Sequence, residues 1–263
     1  MNPTLETILQ RRSVRRYQPR PVERERVDRI IAAAMRAPTA GNMMLYSILE
    51  IDDPDLKKTL AVTCDNQPFI AASPLVLIFL ADYSRWVDYY AGSGVSASWC
   101  REQGLPLRTP GEGDLLLACC DALIAAQTAV IAAESMGIGS CYIGDIMERF
   151  EEHRELLALP RFVFPAAMLC FGYPAEDNPG RAMTPRFPRQ SLCFRNRYRR
   201  HDARTLAEIF AKRELPKYPA GVANFGQYMY RKKFAASFST EMTRSVAAAI
   251  HHWTGGDLPA EEP

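Results

Sequence analysis

The pattern of apolar and polar positions changes period several times along the chain. Leu5, Ile8 and Leu9 share one helical face with Arg12, and Asn2-Pro3 ahead of them pairs an N-cap residue with proline at the first helical position. Gln18-Pro19-Arg20-Pro21 stops that element. Val27, Ile30, Ile31 and Ala34 predict a second helix, ended by Pro38. Leu45 to Ile51 predicts a strand cut by Asp52-Asp53-Pro54, and a short helix follows around Asp55–Val62. Leu75-Val76-Leu77-Ile78-Phe79-Leu80 is an unbroken apolar run, the pattern of a strand buried on both faces. Residues 84–113 carry Gly, Ser and aromatic residues and read as an excursion. Asp114 opens a long apolar helix that Gly137 ends. Ser140 to Ile143 is a short strand, Phe150 to Leu157 a short helix, and Ala166 to Phe171 another buried strand ended by Gly172-Tyr173-Pro174. The tail from His201 has helical stretches near Leu206–Lys212 and Glu241–Trp253 and few long apolar runs. Helices and strands mix without a strict βαβ rhythm, so the expected class is α+β.

With 263 residues, 48% hydrophobic, the chain can bury a substantial core without disulfide or metal staples. Lys and Arg number 32 against 30 Asp and Glu, a formal charge of +2, so the overall balance gives no reason to coat nucleic acid and any anion site must be local. Seven cysteines, at 64, 100, 119, 120, 141, 170 and 193, include no C-x-x-C pair and no zinc or cluster spacing. Reduced thiols in the cytoplasm are the simplest reading. The N-terminal Met1–Glu6 stretch lacks a basic region leading into an apolar run, so no signal peptide is expected. Leu115 to Met136 is the one stretch that resembles a membrane span. It carries Asp121 and Glu134, each costing roughly 2.5–3.5 kcal/mol near a bilayer centre, so a buried core helix is the expectation and no membrane partner is.

Common catalytic signatures are missing: there is no G-x-S-x-G, H-E-x-x-H, G-x-x-x-x-G-K-[ST] or G-x-G-x-x-G. The histidines, 153, 201, 251 and 252, stand near no obvious nucleophile. An enzyme so equipped takes its chemistry from a cofactor. Four constellations could hold one, and each has a plain structural reading beside it. Arg11-Arg12-Ser13-Val14-Arg15-Arg16 offers guanidinium forks and a hydroxyl to a phosphate, or is a basic helix C-terminus. Ala37-Pro38-Thr39-Ala40-Gly41-Asn42 admits a planar ligand close to the backbone, or is a helix stop and turn. Gly137-Ile138-Gly139-Ser140-Cys141-Tyr142-Ile143-Gly144-Asp145 permits close backbone approach, or is a C-cap and turn. Thr184-Pro185-Arg186-Phe187-Pro188 presents a rigidly flanked arginine.

The order and spacing of these signals are more specific than any one of them. Arg11-Arg12-Ser13-x-Arg15-x-Tyr17, then Ala37-Pro38-Thr39-x-x-Asn42, then the apolar helix into Met136-Gly137-Ile138-Gly139-Ser140-Cys141-Tyr142-Ile143-Gly144, then Gly172-Tyr173-Pro174 and Pro185-Arg186-x-Pro188 together resemble the nitroreductase / NAD(P)H:flavin oxidoreductase family. The resemblance covers roughly residues 4–198. It implies a central, mainly antiparallel sheet flanked by helices and an intertwined homodimer with FMN in each interface groove. Residues 1–200 would form the FMN-binding domain and 201–263 a C-terminal helical extension packed on the partner subunit. By matching position, Arg11, Arg12, Ser13 and Arg15 would hold the ribityl phosphate, with Arg186 returning to it. Thr39, Ala40 and Asn42 would lie against the isoalloxazine, and Gln67 would contact the ring or ribityl chain. Tyr142, Ile143, Gly144 and Asp145 would pack on the ring. Three positions depart from the family pattern. Met44 stands where Gln is frequent, Asp145 where Gly or Glu is frequent, and Thr184 where some relatives have Lys. A carboxylate at Asp145 would disfavour the reduced, anionic ring and lower its potential.

The implied activity is hydride transfer from NAD(P)H through flavin N5 to a nitroaromatic, quinone or flavin acceptor, with donor and acceptor using one open face in turn. Trp86, Tyr89, Tyr90, Trp99 and Phe69 would stack planar acceptors, or simply pack the excursion. Arg195, Arg197, Arg199 and Arg200 would grip an NADPH 2′-phosphate, or form a solvated or interface run. Dimerisation has its own motive, since the Leu115–Met136 helix is too apolar to face water and the tail is short of core. The rival readings are an FMN carrier or redox sensor with little turnover, and an interaction module binding nucleic acid through residues 186–200. Neither the net charge nor any recognised motif favours the latter.

Overall fold

A computed structural model describes residues 2–175 and 183–255. The strands are β1 (Tyr46–Ile51), β2 (Leu75–Asp82), β3 (Gly139–Ile143) and β4 (Val163–Gly172). They form one antiparallel sheet in the order β1-β2-β4-β3. Among the described residues the helices are α1 (Pro3–Gln10), α2 (Arg24–Ala34), α3 (Pro54–Thr63), α4 (Ser84–Gly92), α5 (Ala97–Glu102), α6 (Glu112–Ser135), α7 (Phe150–Leu156), α8 (Ala203–Phe210), α9 (Phe225–Met229) and α10 (Ser237–Thr254). The fold is α+β, as the sequence predicts.

Two-residue alternation explains the unbroken apolar run of β2. Leu75, Leu77 and Phe79 turn to one face, where they meet Val27 and Ile30 of α2 and a stripe of alanines on α6. Val76, Ile78 and Leu80 turn to the other, where they meet Leu60, Ala61 and Cys64. Each such side chain contributes roughly 1.5–3 kcal/mol when fully buried. The α6 stripe is Ala122, Ala125, Ala126, Ala129 and Ala133, all fully buried. These short side chains let the helix lie close on the sheet. A third cluster gathers Leu45, Leu115, Phe150, Phe162 and Phe164 with Ala249 and Trp253 of α10.

Two expectations change. First, α1 ends at Gln10, so Arg12 is not on a helical face. Residues beyond it are extended because pairing with the sheet edge supplies their backbone hydrogen bonds. Second, α6 is not buried on every side within the chain: Leu116 (68%), Leu117, Leu123 and Ile124 are exposed. By length and composition α6 is apolar enough to cross a membrane, yet it lies across the sheet. The described residues fall into two compact units, 2–175 with 241–255 and 183–240. The tail from Glu241 onward thus packs with the sheet of its own chain, through Ala249 and Trp253. Residues 256–263 of the expected extension lie outside the described residues.

The 183–240 unit holds α8 and α9 and an aromatic group in which Phe187 and Phe210 rings meet at 5.1 Å and Phe210 and Phe225 at 6.2 Å. The helix expected at Leu206–Lys212 spans Ala203–Phe210, capped by Asp202, and continues as a single tight turn. The short α9, capped by Asn224, gave no periodic signal.

Candidate functional site

The N-terminal arginine segment is held against the sheet as a partial fifth strand. Val14 N–H donates to Ser140 O at 2.8 Å and Ser13 bridges Ser140 in parallel fashion. Gln18 N–H donates to Tyr173 O at 2.8 Å, and Ala175 N–H to Arg16 O at 3.0 Å. Two glycines make room for it. A Cβ on Gly139 would lie 2.5 Å from Val14 Cγ2, and one on Gly172 2.8 Å from the Tyr17 ring. Extended backbone alternates its side chains, so the buried Val14 faces the core while Ser13 and Arg15 turn the other way. The charges of Arg11 and Arg12 act on Glu134 at the end of α6, and those of Arg11 and Arg15 act on Cys141. The Arg15 guanidinium lies 5.9 Å from the centre of the Phe69 ring. The charges of Arg11 and Arg15 thus reach β3 and those of Arg11 and Arg12 the end of α6. Burial pushes Glu134 up to about 7, against the pull of Arg11 and Arg12. Among the described residues Glu134 Oε1 and Ser140 Oγ are buried without a hydrogen-bond partner.

The turn after β3 lies at the same edge. The Tyr142 hydroxyl donates to Gln127 Oε1 at 3.4 Å, and burial pushes its phenol up to about 12. Ile143 is buried, while a Cβ on Gly144 would meet nothing within 4 Å. Gln67 Nε2 donates to Asp145 Oδ2 at 2.8 Å and sits 2.9 Å from Cys64 O, which ties the end of α3 to the turn. The structure thus brings together Arg11, Arg12, Ser13, Arg15, Gln67, Tyr142, Ile143, Gly144 and Asp145.

Thr39, Ala40 and Asn42 stand elsewhere. They precede β1, at the opposite edge of the sheet, three strand spacings or roughly 14 Å from β3. Gly41 (φ 56°), Asn42 (φ 57°) and Met44 (φ 52°) are all left-handed, a conformation that Gly takes freely and Asn tolerates. Buried Asp121 on α6 holds this loop: Ala40 N–H donates to Oδ1 at 3.0 Å and Leu45 N–H to Oδ2 at 3.2 Å. Thr39 Oγ1 accepts from Met44 N–H at 3.2 Å. Asp121 and Glu134 anchor the two regions at positions roughly 20 Å apart along α6.

Helix α4 braces the same loop. Trp86 Nε1–H donates to Met43 O at 2.7 Å, and Arg85 donates to Ser47 Oγ at 2.8 Å. Trp86 therefore packs, as the plainer reading of the excursion has it, whereas Tyr89 and Trp99 are exposed. Phe69 lies by Arg15 at the other edge. Arg186 belongs to the 183–240 unit, where it donates to Thr184 Oγ1 at 3.0 Å. Arg195, Arg197, Arg199 and Arg200 are exposed and form no ion pair among the described residues.

Sequence reasoning missed three polar groups: Asp121, Glu148 and His153. The signal for Asp121 was present, since a carboxylate inside an apolar helix must be satisfied by something. Nothing in the sequence marks Glu148 or His153 as buried.

This geometry agrees with three comparisons. The model of the nitroreductase family matches residues 8–173. A Bacillus subtilis FMN reductase (NADPH) is 33% identical over 198 residues, 75% of each chain. An oxygen-insensitive NADPH nitroreductase from Salmonella typhimurium is 33% identical over 207 residues, 79% of each. The solved structure of a Vibrio harveyi NADPH:FMN oxidoreductase complexed with NAD+ superposes with a TM-score of 0.76 at 25% identity, covering 95% of this chain and 98% of that one. A clipped arginine strand, a glycine turn at the same edge and a match across the whole sheet lead to one assignment: the chain belongs to the nitroreductase family.

Proposed function

We propose that the chain is an FMN-dependent oxidoreductase that takes hydride from NAD(P)H and delivers it to a nitroaromatic, quinone or flavin acceptor. The relatives named for FMN reduction and nitroreduction support the class of reaction. The observation that carries the reading here is the arginine segment fixed beside β3, next to the open turn at Gly144. Its donors suit a phosphate monoester, which bidentate guanidinium groups and a hydroxyl bind with charge-assisted hydrogen bonds. The partnerless Ser140 Oγ fits as well, because a buried hydroxyl is costly until a ligand group meets it.

Bound FMN supplies hydride chemistry at N5, and the chain supplies position and charge. Arg11, Arg12, Ser13 and Arg15 hold the phosphate. Tyr142, Ile143, Gly144 and Asp145 back the ring, and Gln67 fixes Asp145. Thr39, Ala40 and Asn42 present backbone and amide groups to the ring of the other subunit. A homodimer accounts for the two-edge arrangement, since one chain keeps these residues a sheet width from its own arginines while a twofold-related copy can offer them to each other's site. It also gives the exposed leucines of α6 a partner. Donor and acceptor use one face in turn, so the kinetics are ping-pong. All seven cysteines are free thiols, in keeping with a reducing cytoplasm.

The test is cofactor uptake by the purified chain. The expected result is a yellow dimer that releases FMN, oxidises NAD(P)H with menadione, and gives parallel initial-rate lines. A folded dimer that takes up no FMN from excess would end the proposal. Intersecting lines would remove the ping-pong step alone.

A further inference from the structure

The turn that follows β3 carries a second carboxyl that the proposed mechanism does not use. Glu148 is 4% exposed, three residues after Asp145, and its backbone N–H donates to Asp145 O at 3.0 Å. Its carboxyl is buried in the same tight turn as Asp145, whose negative charge acts on it, and among the described residues its Oε1 has no hydrogen-bond partner. Asp145 is fixed from the other side by Gln67 at 2.8 Å. Two carboxylates cannot hydrogen-bond to each other unless one carries a proton, because an ionised carboxylate only accepts.

The surroundings decide which one carries it. Burial and the negative charges of Asp145, Asp65 and Glu241 push Glu148 up to about 7. From α3 the neighbouring groups are the buried Cys64 thiol and Thr63. From α7 they are His153, which burial holds neutral, and Arg149, whose guanidinium pairs with Glu152 at 3.4 Å. The His153 Nδ1–H donates to Ile146 O at 2.9 Å, so its Nε2 accepts from Thr63 Oγ1 at 2.8 Å and offers Glu148 no charge. From α10, Glu241 is engaged by Arg244 at 2.8 Å, and that guanidinium also grips Glu151. No cation is left to neutralise Glu148 among the groups that act on it.

We propose that Glu148 is a positioning residue that carries one proton, donates it in a hydrogen bond to Asp145, and so makes the charge of the turn beside Gly144 depend on pH. With the proton in place the pair bears one negative charge; without it, two. The inference rests on the reading that FMN lies on this turn. Charge near the ring tunes its electronics, and added negative charge opposes reduction. The potential of the bound flavin would therefore be lowered further once Glu148 ionises.

Glu148→Gln keeps a neutral donor and cannot ionise. Its FMN midpoint potential is expected to match the wild type below neutrality and to rise above it as pH increases from about 6 to about 8.5. The difference curve isolates the pair from the flavin's own protonation. A difference that stays constant over that range would overturn the proposal. Glu148→Leu, which cannot donate, should shift the potential at every pH. A second readout needs no cofactor. In a Glu134→Gln background, where the other acid that keeps its proton near pH 6 is gone, the FMN-free chain should show the infrared C=O stretch of a protonated carboxyl at about pH 6, lost when Glu148→Gln is added. If that band is absent, Glu148 does not hold the proton, whatever the chain binds. If the band is present and no FMN binds, the protonated pair stands and the cofactor reading falls.

Discussion

The two edges of the sheet are built for different tasks by different means. At the β3 edge the working groups are charged, and backbone pairing places them: Arg11 to Arg16 run beside β3 because Val14 bonds to Ser140 and because Gly139 and Gly172 leave room. At the β1 edge the working feature is backbone shape. Gly41, Asn42 and Met44 are left-handed, and one buried carboxylate, Asp121, receives two N–H groups to hold the loop. On the proposed function the first edge would gain its affinity from charge, while the second takes its geometry from a single anchor. Loss of charge should therefore hurt binding and spare the fold, whereas loss of the anchor should cost stability first.

The largest effect is expected at the charged edge. Arg11→Ala/Arg15→Ala removes two charge-assisted partners worth roughly 1.5–3 kcal/mol each. FMN affinity should fall on the order of a thousandfold, with little change in unfolding midpoint. Fluorescence titration measures the first and chemical denaturation the second. If Thr39→Ala/Asn42→Ala weakens FMN as much, the contrast between the edges is wrong. Asp121→Ala is the complementary break. It orphans the Ala40 and Leu45 N–H groups, which costs roughly 1–3 kcal/mol for each group left buried. Stability should drop clearly, and Asp121→Asn, which keeps one acceptor, should lose about half as much.

Much of this plan is legible in the sequence. The apolar run of β2, the glycine stop of α6 and the order of the motifs carry the fold, because burial on both faces and helix termination are local signals. What is not legible depends on long-range contact. Arg12 reads as helical from its spacing, but α1 ends at Gln10 and the chain after it runs on to the pairing of Ser13 and Val14 with Ser140. The α6 helix reads as buried all round, yet a single sheet covers one side of it, and its leucines at 116, 117 and 123 remain exposed. The separation of Thr39–Asn42 from Arg11–Arg15 follows from strand order, which no spacing along the chain reveals.

Gly139→Ala sharpens the comparison at a smaller scale. Its Cβ would press on Val14 at 2.5 and 2.9 Å, an overpacking that costs roughly 1–3 kcal/mol and pushes the arginine segment off β3. FMN affinity should fall about tenfold. Adding Val14→Ala removes the obstructing methyl groups, so the double variant should recover part of the loss, a coupling that a thermodynamic cycle measures. Gly144→Ala is the control. Its φ of −78° suits any residue and its Cβ would meet nothing, so the fold should be untouched.

The smallest effect concerns Glu134, the acid that faces Arg11 and Arg12. Its carboxyl is pushed from 4.5 up to about 7 in the folded chain by burial. Between those values the unfolded chain releases the proton while the folded chain keeps it, so stability falls as pH rises through this window and levels off above about 7. Glu134 is partly exposed, so solvent reduces the size of the effect but not its sign. Glu134→Gln should remove this share of the decline in denaturation curves taken across the window, leaving the share due to Glu148. A phosphate placed on Arg11 and Arg12 adds negative charge beside Glu134 and raises its proton affinity further. FMN binding near neutral pH should then draw protons from buffer, seen as a dependence of the calorimetric binding enthalpy on buffer ionisation enthalpy. If Glu134→Gln shows the same proton uptake, the phosphate does not lie against this acid, and the assignment of Arg11 and Arg12 to it would need to be moved along the segment.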